Sequence, residues 1–111
     1  MSFAADELSE RIRSVLGSHP RLSEQKMFGG RAFMLGGHMV VAVMKDGGLL
    51  VRVGKHGMAD HLGKPGASPM TMGSRTMGGF LQVSGDVLEA DEVLAEWLGI
   101  AQDCVAALPP K

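Results

Sequence analysis

The spacing of apolar positions changes along the chain, and each change marks an element. Over residues 2–16, Leu8, Ile12, Val15 and Leu16 recur at i, i+4, i+7 and i+8, the stripe of one helical face. Asp6, Glu7 and Glu10 lie toward its start and Arg11 and Arg13 toward its end, which suits the helix dipole. Gly17, with Pro20 beyond it, predicts the stop. The charged opposite face reads as a solvated surface.

From Ser23 the pattern becomes short apolar runs separated by Gly29-Gly30, Gly36-Gly37 and Gly47-Gly48. Glycine reaches positive φ without steric cost, so each pair falls where a strand turns back. The runs predict antiparallel strands over residues 23–27, 31–35, 38–44 and 49–53. Met39-Val40-Val41-Ala42-Val43-Met44 is apolar without a break, the pattern of a strand buried on both faces. A short chain has little material to cover both faces of a sheet, so this run also predicts a homodimer.

Met58 and Leu62, four apart, predict a short helix over 55–62, weakened by about 1 kcal/mol at Gly57. Residues 63–69 carry two glycines and two prolines and read as loop. Residues 70–76 fit either an irregular strand or more loop. Residues 77–83 read as a strand in which Gly78-Gly79 makes a bulge or lets another backbone approach. A turn at 84–86 and a helical turn at Val87-Leu88 follow. Asp91 is the expected cap of a last helix whose stripe is Leu94, Trp97, Leu98, Ala101, Val105 and Leu108, with Pro109-Pro110 ending it. The class is therefore α+β: an antiparallel sheet of about five or six strands, flanked by N- and C-terminal helices, with a short helix inserted between strands.

Composition narrows the function. At 111 residues the chain reads as one domain, 1–111, and 45% hydrophobic with 21% charged residues is a globular balance. Net charge is −1, whereas a nucleic-acid binder usually carries a basic excess, so nucleic acid is a disfavoured partner. One cysteine, Cys104, excludes an internal disulfide and a cysteine-based metal cage. No signal segment and no apolar run of membrane-spanning length occurs, so a cytoplasmic location is expected. Nine methionines against four Phe, one Trp and no Tyr give a flexible filling that also suits adaptable binding surfaces.

No catalytic constellation emerges. His56 and Asp60 share a helical face at i, i+4, but His61 is turned away and a third metal ligand would have to come from His38 or His19. A surface helix with ordinary polar residues accounts for them, and no metal or cofactor is expected. Cys104 lies toward a helix C-terminus, where the dipole opposes a thiolate, and reads as packing. The glycine pairs match no phosphate-loop motif. Arg52, Lys64 and Arg75, with Arg31, Lys55, Ser74 and Thr76 nearby in the chain, are candidates for a cationic patch, although Arg52 alternates with apolar neighbours and should simply point outward. Met27, Phe28, Gly29, Gly30 and Arg31 form the candidate contact corner. A structural reading anchors Phe28 in the core and lets Gly29-Gly30 bulge or turn the backbone; a functional reading presents Met27 and Arg31 to a partner.

Lys26-Met27-Phe28-Gly29-Gly30, followed by two apolar strands around a glycine turn, resembles the N-terminal domain of the TfoX/Sxy competence regulators. Residues 77–83 resemble the family's late strand, which usually carries an aromatic pair after Met-Gly. Residues 88–107 resemble its closing helix, with Leu94, Trp97 and Ala101 in the expected places. The resemblance implies helices packed on one antiparallel sheet in a secretion-chaperone-like arrangement. The missing catalytic set and the unbroken apolar third strand lead to the expectation of a non-enzymatic regulatory or protein-interaction module, with an unidentified regulatory protein as partner. Full-length competence regulators add a helical C-terminal domain, whereas this chain stops at Leu108-Pro109-Pro110-Lys111, so a stand-alone module is expected. The alternatives are a transcription-linked nucleic-acid binder and a small-molecule binder using the Met-rich interior and residues 63–76.

Overall fold

The structure, a computed structural model, describes residues 3–17, 19–27, 30–44, 47–72 and 75–108. Helix α1 (Phe3–Leu16) leads into strands β1 (Leu22–Met27), β2 (Gly30–Leu35), β3 (His38–Val43) and β4 (Leu49–Arg52). Helix α2 (Gly54–His61), strands β5 (Ala67–Met72) and β6 (Arg75–Val83), a 3₁₀ turn at Val87–Glu89 and helix α3 (Asp91–Ala106) complete the chain. The strands form one antiparallel sheet in the order β1-β2-β3-β4-β6-β5. The expected α+β class, strand count, inserted helix and closing helix are all present.

In α1, Leu8, Ile12 and Leu16 are buried along the i+4 ridge, whereas Val15 stands at its edge and is 48% exposed. Gly17 closes the helix by donating its N–H to the Arg13 carbonyl at 2.7 Å. A Cβ on Gly17 would sit 2.4 Å from that oxygen, so no other residue fits without movement. Between β2 and β3, Gly36 and Gly37 take φ of 60° and 88°, two positive values that define a two-residue hairpin turn.

The unbroken apolar run of β3 has an explanation within one copy. Phe33 faces Val41 and Met34 faces Met39, which leaves Val40 as an extra residue in a β-bulge. The bulge lets Val40 join Val41 and Val43 in the core beneath the helices, while Met39 and Ala42 go to the other face. Val40, Val41, Ala42 and Val43 are all fully buried, so their composition by itself requires no second molecule.

Two sequence expectations are corrected. Residues 67–69 are strand, not loop: Ala67, Ser68 and Pro69 pair with Val83, Gln82 and Leu81. β5 is the last strand of the sheet, and an edge tolerates a proline that has no N–H to donate. Asp91 is the first residue of α3 and not its cap; Ala90 holds the cap position, with no side-chain capping bond. The Asp91 carboxylate instead accepts a hydrogen bond from Arg11 at 2.8 Å, fastening α3 to α1.

The main core lies between the sheet and the helices. Ile12 and Leu16 of α1 and Trp97, Leu98, Ala101 and Val105 of α3 pack with Phe33, Val41, Leu49, Val51 and Leu81, and Met58 of α2 joins them. The bulge expected at Gly78-Gly79 is present: the β5–β6 ladder breaks between Pro69 and Thr71, and Gly79 adopts φ of 86°. There the Gly79 N–H approaches the Met58 sulfur at 3.1 Å, and the Gly79 carbonyl accepts from Val53 N–H at 2.8 Å. No helix among the described residues is long and apolar enough to cross a membrane.

Candidate interaction surface

Alternation divides each strand between two faces. The helices take one of them. On the other, Ala32 of β2, Ala42 of β3, Leu50 of β4 and Phe80 of β6 form a second apolar cluster built from strand residues alone. Ala32 pairs with Ala42 and Ala42 with Leu50, so three apolar side chains stand in one row across the middle of the sheet. The row continues into polar residues on both sides, through Gln25 opposite Ala32, and through Gln82 opposite Leu50 and then Ser68. Ala32, Ala42 and Leu50 have no exposure, and half-buried Met34 and Met39 pack at the border of the cluster.

Arg52 belongs to this face. Its Nε donates to the Met39 carbonyl at 2.6 Å, and its guanidinium lies 4.8 Å from the centre of the Phe80 ring, a cation–π contact. It is not the freely solvated cation that alternation alone suggests; it ties β4 to β3 and covers the aromatic ring.

The other candidate cations are engaged elsewhere. Lys64 bonds Glu96 of α3 at 3.3 Å, so it lies on the helical side of the sheet, opposite Arg52. Arg31 donates to Glu24 at 3.2 Å. Glu24 also receives two hydrogen bonds from Arg13 of α1, at 2.8 and 3.0 Å. This fork, with Arg31 adding to it against the cost of burial, holds the Glu24 carboxyl below its ordinary 4.5, and the same bonds to Glu24 hold the Arg13 guanidinium above its ordinary range. The side chain of Arg75 lies outside the described residues, as do Ser74 and the side chains of Lys55 and Thr76.

In the contact corner, Phe28, Gly29 and the side chain of Met27 lie outside the described residues. Gly30 is explained by packing: a Cβ there would fall 1.8 Å from the Val43 carbonyl oxygen, so β2 and β3 approach only because the side chain is missing.

The histidines do not assemble a metal centre. Among the described residues no group of three or more His, Cys, Asp or Glu is placed to hold an ion. His61 turns inward onto Trp97, ring edge toward ring face at 6.1 Å and 68°, with its Nδ1 buried and without a hydrogen-bond partner. Asp60 is exposed, and the His56 side chain lies outside the described residues. Cys104 is half-buried, its sulfur 3.4 Å from where a Cβ on Gly54 would stand, in the packing between α3 and the start of α2.

Met39 and Phe80 are the residues of this cluster that the chain's pattern does not single out. Alternation from Ala32 marks Met34, but the bulge at Val40 reverses the count for Met39 and hides their adjacency. The whole sheet, the last turn of α1 and nearly all of α3 fall within residues 14–105, and over that span the chain matches the family model described as the TfoX N-terminal domain. No curated protein and no solved structure matches the chain. With the glycine turns, the late strand and the closing helix all inside the matched span, the chain belongs to the TfoX N-terminal domain family.

Proposed function

We propose that this protein is a non-enzymatic regulatory module that acts through protein contact, and that it pairs with a second copy of itself through the helix-free face of the sheet. The observation that carries this reading is the second apolar cluster, bordered by half-buried Met34 and Met39, on which no described helix packs. Thioether side chains re-pack easily and suit such a contact, and a sheet face presents the same surface from both copies, as a two-fold interface requires. Membership of the TfoX N-terminal domain family supports a competence-regulator-like role. Protein is favoured over nucleic acid because Arg11, Arg13, Arg31 and Lys64 are engaged by carboxylates and the net charge is −1.

Sedimentation velocity over about 1–100 µM tests it, with Met34→Lys and Met39→Lys as variants. The parent should sediment as a dimer by the upper end of that range, and each lysine should shift it to monomer while leaving the circular dichroism unchanged. A parent that stays monomeric at about 100 µM overturns the pairing. Salt-dependent binding to duplex DNA in fluorescence anisotropy would overturn the choice of protein as partner.

A further inference from the structure

A cleft of about 430 Å³ opens where the α1–β1 connection, the β2–β3 turn and the end of α3 meet. That volume is within the range of sites for small organic molecules. Leu35, Val105 and Leu108 contribute apolar lining. The rest of its lining is largely polar, with Arg21 and Asp103 charged. His19 and Arg21 come from the connection, His38 from the start of β3, and Gln102 and Asp103 from α3.

Both charged side chains are unmatched. Among the described residues no carboxylate pairs with the Arg21 guanidinium, and no cation pairs with Asp103. The other described arginine side chains are all engaged, Arg11, Arg13 and Arg31 by carboxylates and Arg52 by a carbonyl and a ring. The Arg21 side chain lies along Gly36, with Nη1 and Cδ 3.8 and 3.9 Å from where a Cβ would be, an ordinary packing distance. His19 Nδ1 accepts the Arg21 backbone N–H at 3.2 Å, which in the neutral ring leaves the hydrogen on Nε2 as a further donor.

We propose that this cleft binds a small zwitterionic α-amino acid with an apolar side chain. The carboxylate takes the forked guanidinium of Arg21, assisted by His19 Nε2–H. The ammonium goes to Asp103 at the C-terminal end of α3, where the helix dipole also favours a cation. The side chain covers Leu35, Val105 and Leu108. A simple anion would leave Asp103 facing it, and a simple amine would leave Arg21 facing it; a molecule carrying both charges satisfies both walls. This site is separate from the sheet face proposed for pairing and does not depend on it.

Amide NMR titration of the full chain tests the proposal, using L-leucine, L-valine and L-phenylalanine against two half-ligands, 4-methylpentanoate and 3-methylbutylamine. At least one of the amino acids should give saturable shifts at Gly36, His38 and residues 102–106. Arg21→Ala and Asp103→Asn should each weaken that binding by about tenfold or more, and each half-ligand should bind about tenfold or more below leucine. Both side chains are exposed, so the variants keep the parent's thermal melt, and a melt recorded beside each titration separates lost binding from lost fold. The proposal is overturned by the absence of saturable shifts up to about 20 mM, by parent-like binding in either variant, or by a half-ligand that matches leucine.

Discussion

The two faces of the sheet come from the same strands by the same alternation, yet they are closed differently. Toward the helices point Phe33, Val41, Val43, Leu49, Val51, Leu81 and Val83, most of them bulky or β-branched, meeting Ile12, Leu16, Trp97 and Leu98 across the gap. Away from the helices the middle of the sheet carries Ala32 and Ala42, with Leu50 and Phe80 beside them. Alternation says only that a face is apolar. Side-chain volume says how each face is closed: the helices fill the space that large side chains leave between their tips, whereas Ala32, Ala42 and Leu50 are covered by their own neighbours, with Met34 and Met39 left half-buried at the border.

Breaking that comparison begins at its best-packed residue. Trp97→Ala removes the largest fully buried side chain from the helical side and should cost about 3–5 kcal/mol in urea unfolding. Leu50→Ala, on the other side, should cost about 2 kcal/mol, near the low end for a buried leucine, because no described helix holds the surroundings open there. A Leu50→Ala loss as large as that of Trp97→Ala would show the two faces to be equally rigid.

The smallest effect concerns the polar edge of the helical side. Glu24→Gln should cost about 1 kcal/mol near neutral pH, since it weakens a partly exposed charge network between α1, β1 and β2. The folded state holds the Glu24 proton less tightly than the unfolded state does. Its contribution is therefore complete above the ordinary carboxylate range and disappears as pH falls through the lower folded value. Parent and variant stabilities, measured by urea unfolding from neutral to acid, should converge below the ordinary 4.5.

How far this was legible in the sequence depends on the range of the force involved. The helices and the meander follow from local periodicity and glycine, so α1, α2, α3 and the first four strands lie within a residue or two of their expected bounds. β5 was hidden because Pro69 looks like a breaker until its place at the sheet edge is known. Asp91 looks like a cap until Arg11, eighty positions earlier in the chain, is seen to take its carboxylate. The interaction surface was half visible: apolar β3 was plain, but the division of its residues between faces rests on one unpaired position. The cleft gave no local signal, since His19, Arg21, Gly36 and Asp103 line one site only where two connections and the end of α3 converge.

That unpaired position has a further consequence. If Val40 were removed, Met39 would still stand across from Met34 and Val41 across from Phe33, and the two-glycine turn would be untouched. Every other side chain in the hairpin would keep its present face. Val40 is thus a spare link in the ribbon, one that adds a valine to the oily interior while the pairs on either side of it stay in place.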